Sequence, residues 1–128
     1  NRQELEQTTG MPCDTLEQVV AAAMELQNLG AKNVLVSLGG DGAVLLPSNG
    51  DAIFCSVPKG TSVNTVAAGD SALAGYIHGF LSTGDQEEAL LYAVAAGSST
   101  AFSDWLGNYE QIRSFVEELR ESGNLKRL

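Results

Sequence analysis

The sequence predicts an α/β chain that forms one part of a larger three-layer α/β/α sandwich. The order of elements and the imbalance between them point there. Apolar periodicity marks a helix, a buried strand, a hairpin and then three helices in succession. One strand and a hairpin offer too little sheet to cover three apolar helices, so more sheet is expected alongside. The 128 residues suit a single domain with a real core.

From Thr15 to Leu29 the residues Leu16, Val19, Val20, Ala23, Met24 and Leu26 recur on one face, as an amphipathic helix requires. Asp14 with Glu17 reads as its capping box and Gly30 as its stop. The apolar run Asn33 to Leu38, closed by Gly39 and Gly40, reads as a buried parallel strand. Ala43 to Leu46 and Ala52 to Val57 read as two strands of a hairpin. The turn formers Pro47-Ser48-Asn49-Gly50-Asp51 lie between them. Helix signals resume at Gly69, run through Leu81 and end near Gly84. Asp85 with Glu88 makes a second capping box for a helix to about Phe102. Asn108 or Tyr109 opens a last helix with Ile112, Phe115, Val116 and Leu119 on its apolar stripe.

Charge excludes one class of partner. The net charge is −9 with only seven Lys and Arg, whereas binding a nucleic acid needs a basic stripe. A phosphate ligand would therefore have to be met by backbone amides, a metal ion or basic groups outside this chain. No run of 18 or more apolar residues appears, so no spanning helix is expected, and Asn1 to Glu6 has no signal-peptide pattern. Cys13 and Cys55, with the single His78, are too few for a zinc site. They are expected to be buried thiols in a reducing, cytoplasmic setting.

The stretch from Val63 to Gly75 carries the most chemistry. A β-branched segment runs into Ala67-Ala68-Gly69 and then into a helix whose first turn holds Asp70. Small residues let a ligand approach the main chain, while the free amides and the macrodipole of a helix start favour an anion. A carboxylate there is stabilised by roughly 0.3–2 kcal/mol. Asp70 could accept a proton from a hydroxyl attacking a phosphoryl group held by those amides; it could equally be an ordinary acid that caps or enriches a first turn. Ser37-Leu38-Gly39-Gly40-Asp41-Gly42 follows a buried strand and frees the backbone at a sheet edge where ligands bind, though a plain turn explains it too. It is neither a P-loop nor a dinucleotide fingerprint, since no Gly-Lys-Ser/Thr and no helix follow.

Taken in order, Asn1-x-x-Glu4, Ser37-x-Gly39-x-x-Gly42 and Thr65-Val66-Ala67-Ala68-Gly69-Asp70-Ser71 resemble the carboxy-terminal part of ribokinase-like (PfkB) sugar kinases. The closest branches are the 1-phosphofructokinases and tagatose-6-phosphate kinases, on the opening Asn-Arg-x-Glu-Leu and the strand Asn-Val-Leu-Val-Ser-Leu-Gly. The resemblance implies residues 1–128 as the ATP-binding part of a longer chain. It implies Asp70 as the base and the amides of Ala67, Ala68 and Gly69 as an anion hole. Ser37, Gly39, Gly40, Asp41 and Gly42 would line the ATP phosphates and ribose, and Gly97 and Ser98 would lie near the adenine. Asn1 and Glu4 match the motif that organises Mg²⁺, largely through water. The partners implied are ATP and a small phosphosugar, fructose 1-phosphate before tagatose 6-phosphate, with a homodimer possible. Sugar-reading residues would lie outside this chain, which is expected to be inactive alone. A non-catalytic nucleotide-binding or assembly role is the alternative.

Two positions depart from the family pattern. Ala67 stands where a glycine is usual, which is tolerable at negative φ only. Asn64 stands where ribokinases carry an aspartate thought to help hold a monovalent cation. His78 lies about 12 Å along the helix from Asp70, too far to share its proton. His78, Trp105, Tyr109 and Lys59 are read as packing or surface residues.

Overall fold

The computed structural model describes residues 1–128. The chain runs α1 (Arg2–Thr9), α2 (Leu16–Asn28), β1 (Val34–Ser37), β2 (Ala43–Leu46), β3 (Ile53–Cys55), α3 (Ala68–Thr83), α4 (Gln86–Ala101), α5 (Tyr109–Glu121) and β4 (Leu125–Arg127). A 3-10 turn at Gly39–Asp41 joins β1 to β2. The strands form one antiparallel sheet in the order β1-β2-β3-β4.

Successive side chains of a strand point to opposite faces, and all four residues of β2 are buried. Val44 and Leu46 join Val34, Val36 and Leu38 beneath Leu5 of α1 and Val19, Ala22 and Ala23 of α2. Ala43 and Leu45 join Ile53 and Cys55 beneath Leu90, Leu91 and Val94 of α4 and Val116 and Leu119 of α5. Two cores on opposite faces of one sheet make three layers, the α/β/α arrangement expected.

Helix α3 packs along α4 through small residues. A Cβ at Gly75 would lie 2.7 Å from Ala96 Cβ, and one at Gly79 would lie 2.9 Å from Ala89 Cα. Elsewhere on α3, Leu73, Ile77 and Leu81 stand exposed at four-residue spacing, an apolar stripe with no cover in this chain.

Several expectations need correction. The box that opens α2 is Thr15 with Gln18. Thr15 Oγ1 accepts the Gln18 amide at 3.2 Å, and Gln18 Oε1 accepts the Thr15 and Asp14 amides at 3.1 and 2.9 Å. Thr15 still has extended backbone, so the helix starts one residue after the acid pair suggested. The ladder β1 makes here is antiparallel, because the Gly39–Asp41 turn is too short for a crossover. Its continuous apolar character reflects helices on both faces. Asp85 caps α4 through the Glu87 and Glu88 amides at 2.7 and 3.1 Å, but the Glu88 carboxylate turns to Arg120 at 2.7 Å. Half of that box is therefore absent.

Asn108 caps α5 through the Gln111 amide at 2.9 Å, as expected. Cys13 and Cys55 are free and buried, and burial pushes the Cys55 thiol up to about 12. No helix is long and apolar enough to cross a membrane.

Candidate functional site

The segment that leads into α3 is tied down before it turns. The Val63 and Asn64 amides both donate to the Ala101 carbonyl, at 2.7 and 3.0 Å, and Asn64 Oδ1 accepts the Val66 amide at 3.0 Å. The chain then reverses at Ala67, with φ 64° and ψ 4°, and enters α3. The amide of Ala68 donates to the Thr65 carbonyl at 3.2 Å, whereas those of Ala67, Gly69 and Asp70 have no acceptor within the chain. The free donors are thus Ala67, Gly69 and Asp70; Ala68, expected among them, is already engaged by the turn. Asp70 is exposed in this first turn, and no side chain caps the helix, so Asp70 is not its cap.

The positive φ at Ala67 overturns the expectation that alanine there needs negative φ. The left-handed conformation costs an L-residue about 1–2 kcal/mol, and the surrounding hydrogen bonds impose it. Ala67→Gly should relieve that cost, less about 0.4–1 kcal/mol for the freer unfolded chain. The expected net gain is about 0.5–1 kcal/mol, read as a higher urea midpoint. A lower midpoint would contradict the conformation.

Beside this turn lies a cavity of about 310 Å³. Ser37, Gly39, Gly40 and Gly42 line it from the β1–β2 connection, Thr65, Ala68 and Gly69 from the start of α3, Gly97 and Ser98 from α4, and Asn1 from the cap of α1. Four separate stretches singled out in the sequence therefore meet at one place. Close backbone approach makes this possible. A Cβ at Gly97 would lie 3.2 Å from the Ala68 carbonyl oxygen. No charged side chain lines the cavity, so an anion would be held by main-chain dipoles.

Ser98 is 4% exposed, and its hydroxyl has no hydrogen-bond partner. Leaving a buried hydroxyl unpaired costs about 1–3 kcal/mol, and this one belongs to the cavity wall. Ala43, Val57, Ser62, Ala72, Ala93, Val94, Ala101 and Phe102 complete the lining and were not anticipated as site residues. Ala93, Val94, Gly97, Ser98 and Ala101 share one face of α4 at helical spacing, a signal that was available in the sequence.

Other expected residues stand outside the lining. Ala67 and Asp70 flank Ala68 and Gly69. Asp41 is exposed and is not part of the lining, and its carboxylate lies 3.3 Å from Arg2 Nη2. Asn1 and Glu4 form a reciprocal cap on α1. Asn1 Oδ1 accepts the Glu4 amide at 3.0 Å, and the Asn1 nitrogen donates to Glu4 Oε2 at 2.8 Å. With these oxygens committed to the cap, the pair fits Mg²⁺ through water better than by direct ligation.

His78 packs edge-on against Tyr92 and Tyr109, with ring centroids 5.1 and 5.8 Å away, in keeping with a packing role. A larger groove of about 520 Å³, between α2 and the β2–β3 turn, brings none of the singled-out residues together.

Comparison with known proteins agrees with the ordered motifs. Residues 1–104 match the family model described as pfkB family carbohydrate kinase. The 1-phosphofructokinase of Bacillus subtilis is 39% identical over 120 residues, covering 94% of this chain and 39% of that protein. The D-tagatose-1-phosphate kinase of Klebsiella oxytoca is 32% identical over 123 residues, with coverage of 94% and 39%. The solved structure of Arabidopsis thaliana ribokinase complexed with ribose and ATP superposes with a TM-score of 0.83 at 30% identity, covering 91% of this chain and 39% of that one. The chain thus spans about 39% of the length of these relatives. Through the match over residues 1–104, the chain belongs to the pfkB family of carbohydrate kinases.

Proposed function

We propose that residues 1–128 are the ATP-binding, base-bearing carboxy-terminal part of a longer sugar-phosphate kinase. The observation that carries this reading is the meeting of four distant segments around one cavity, at the start of a helix with free amides and an exposed Asp70. ATP would lie in the cavity with its base toward Gly97 and Ser98. Its terminal phosphoryl group would sit at the amides of Ala67, Gly69 and Asp70. The Asp70 carboxylate accepts the proton of the acceptor hydroxyl, whose oxygen attacks the γ-phosphorus as ADP departs. The amides stabilise the charge on the equatorial oxygens. Asn1 and Glu4 would hold Mg²⁺ through water; when bound, the ion neutralises charge on the phosphate oxygens.

Fructose 1-phosphate is the preferred acceptor, in line with the name of the 39%-identical relative. A tagatose phosphate is the second choice: the sequence motifs suggest the 6-phosphate, whereas the 32%-identical relative is named for D-tagatose 1-phosphate. The exposed stripe Leu73, Ile77 and Leu81 supports the view that further chain packs over α3, and the fragment alone is expected to show no turnover.

Ser98→Ala tests the placement of the nucleotide. Removing an unpaired buried hydroxyl should raise the stability of the free protein by about 1 kcal/mol. Losing its hydrogen bond to the bound base should weaken ATP by roughly five- to tenfold in calorimetry. Unchanged affinity would place the nucleotide elsewhere.

A further inference from the structure

We propose that Thr100 is a positioning residue for the catalytic turn: its hydroxyl pins the first turn of α3 to the end of α4 and so sets where Asp70 stands. The proposal rests on the kinase reading above, in which Asp70 is the base.

Residues 100 and 101 hold the Asp70 segment from both sides. Before the turn, the Ala101 carbonyl takes the Val63 and Asn64 amides. After it, Thr100 Oγ1 lies 2.7 Å from Ser71 Oγ, one residue beyond Asp70. Between these anchors sits Ala67 in its left-handed conformation, which persists only where the surroundings over-determine it. Thr100 is 2% exposed and is itself fixed, because Oγ1 also accepts the Gly107 amide at 3.1 Å. Gly107 lies so close to α4 that a Cβ there would stand 2.6 Å from Ser99 Cβ. The loop after α4 therefore folds back onto the same hydroxyl.

A directional contact matters here because the interface close to Asp70 offers little else to fix register. Ala72 of α3 faces Gly97 of α4 there, and Gly75 faces Ala96; the larger contact, His78 edge-on to Tyr92, lies two turns further along α3. The other side-chain hydrogen bond between the two helices, Tyr76 to Gln86 at 2.9 Å, lies toward the far end of α3. Near Asp70, the Ser71–Thr100 pair is what resists sliding.

The test uses the full-length kinase and four variants. Thr100→Val keeps the shape and removes the hydroxyl, and it should lower kcat about tenfold by misplacing the base. KM for the sugar phosphate should stay within about twofold, while KM for ATP should rise, because the Gly69 and Asp70 amides ride on the same turn. Thr100→Ser should restore kcat. Ser71→Ala cuts the same bond from its half-buried end and should reproduce the loss; it decides the matter if Thr100→Val does not fold. Amide exchange at Gly107 should quicken in Thr100→Val and not in Ser71→Ala.

Wild-type kcat in Thr100→Val or Ser71→Ala, with Asp70→Asn inactive, overturns the positioning role and leaves the kinase reading standing. A Thr100→Ser variant as slow as Thr100→Val overturns it too, since the methyl group rather than the hydroxyl would then matter. An active Asp70→Asn overturns the base assignment, and the positioning role falls with it.

Discussion

Asp70→Asn in the full-length kinase should lower kcat by about 10²- to 10⁴-fold, the usual contribution of a positioned general base. The side chain keeps its size and loses its ability to take a proton. Asp70 is exposed and is not the cap of α3, so the substitution should leave the fold intact. A stability loss of no more than about 1 kcal/mol, the helix-end contribution of an exposed carboxylate, beside the lost turnover would separate chemistry from stability. If kcat fell by less than about tenfold, proton removal would have to lie with another group.

Gly42→Ala should be the most damaging single methyl group in the chain. Gly42 has φ 119°, a conformation that costs other residues about 1–3 kcal/mol. The added Cβ would overlap the Cys55 carbonyl oxygen and lie 2.8 Å from Ser56 Cα. Those neighbours are backbone of the paired strand and its exit, so they cannot swing aside as a side chain would. Overpacking of this kind adds about 1–3 kcal/mol. Together a loss of about 3–5 kcal/mol is expected, measured by urea unfolding, with ATP binding falling alongside because Gly42 lines the cavity. A midpoint close to wild type would show that the β1–β2 turn is not built as described.

Much of this architecture was legible in the residues. Periodicity located α2, α4 and α5, and the turn formers from Pro47 to Asp51 located the β2–β3 hairpin. The stretch from Thr65 to Ser71 announced a loop feeding a helix start. Helix α1 was illegible because only Leu5 of its eight residues is buried, so no apolar stripe advertises it; its cap does the organising. Strand β4 is three residues long and mostly exposed. It forms because β3 has an edge to offer, with Leu125 opposite Cys55.

The site shows the same division. Glycines and small residues revealed where a backbone comes close to something, as at Gly42 and Gly97. They did not reveal which amides remain free, since the loss of Ala68 to Thr65 depends on turn geometry. The positive φ of Ala67 is imposed from a distance, by the Ala101 carbonyl and the packing of α3 on α4, and no local propensity encodes it. Asp41 looked like a ligand-facing acid because it sits between glycines; its partner, Arg2, is remote in sequence. The unpaired hydroxyl of Ser98 is likewise a property of what surrounds α4.

In this mechanism the free amides bind the phosphate while Asp70 serves the chemistry. Calorimetry of ATP binding to wild-type and Asp70→Asn full-length kinase tests it most directly. Affinity in the variant should be unchanged or tighter, because a negative charge beside a polyphosphate has been removed. Loss of ATP binding in step with the loss of turnover would contradict the claim and make Asp70 a binding group.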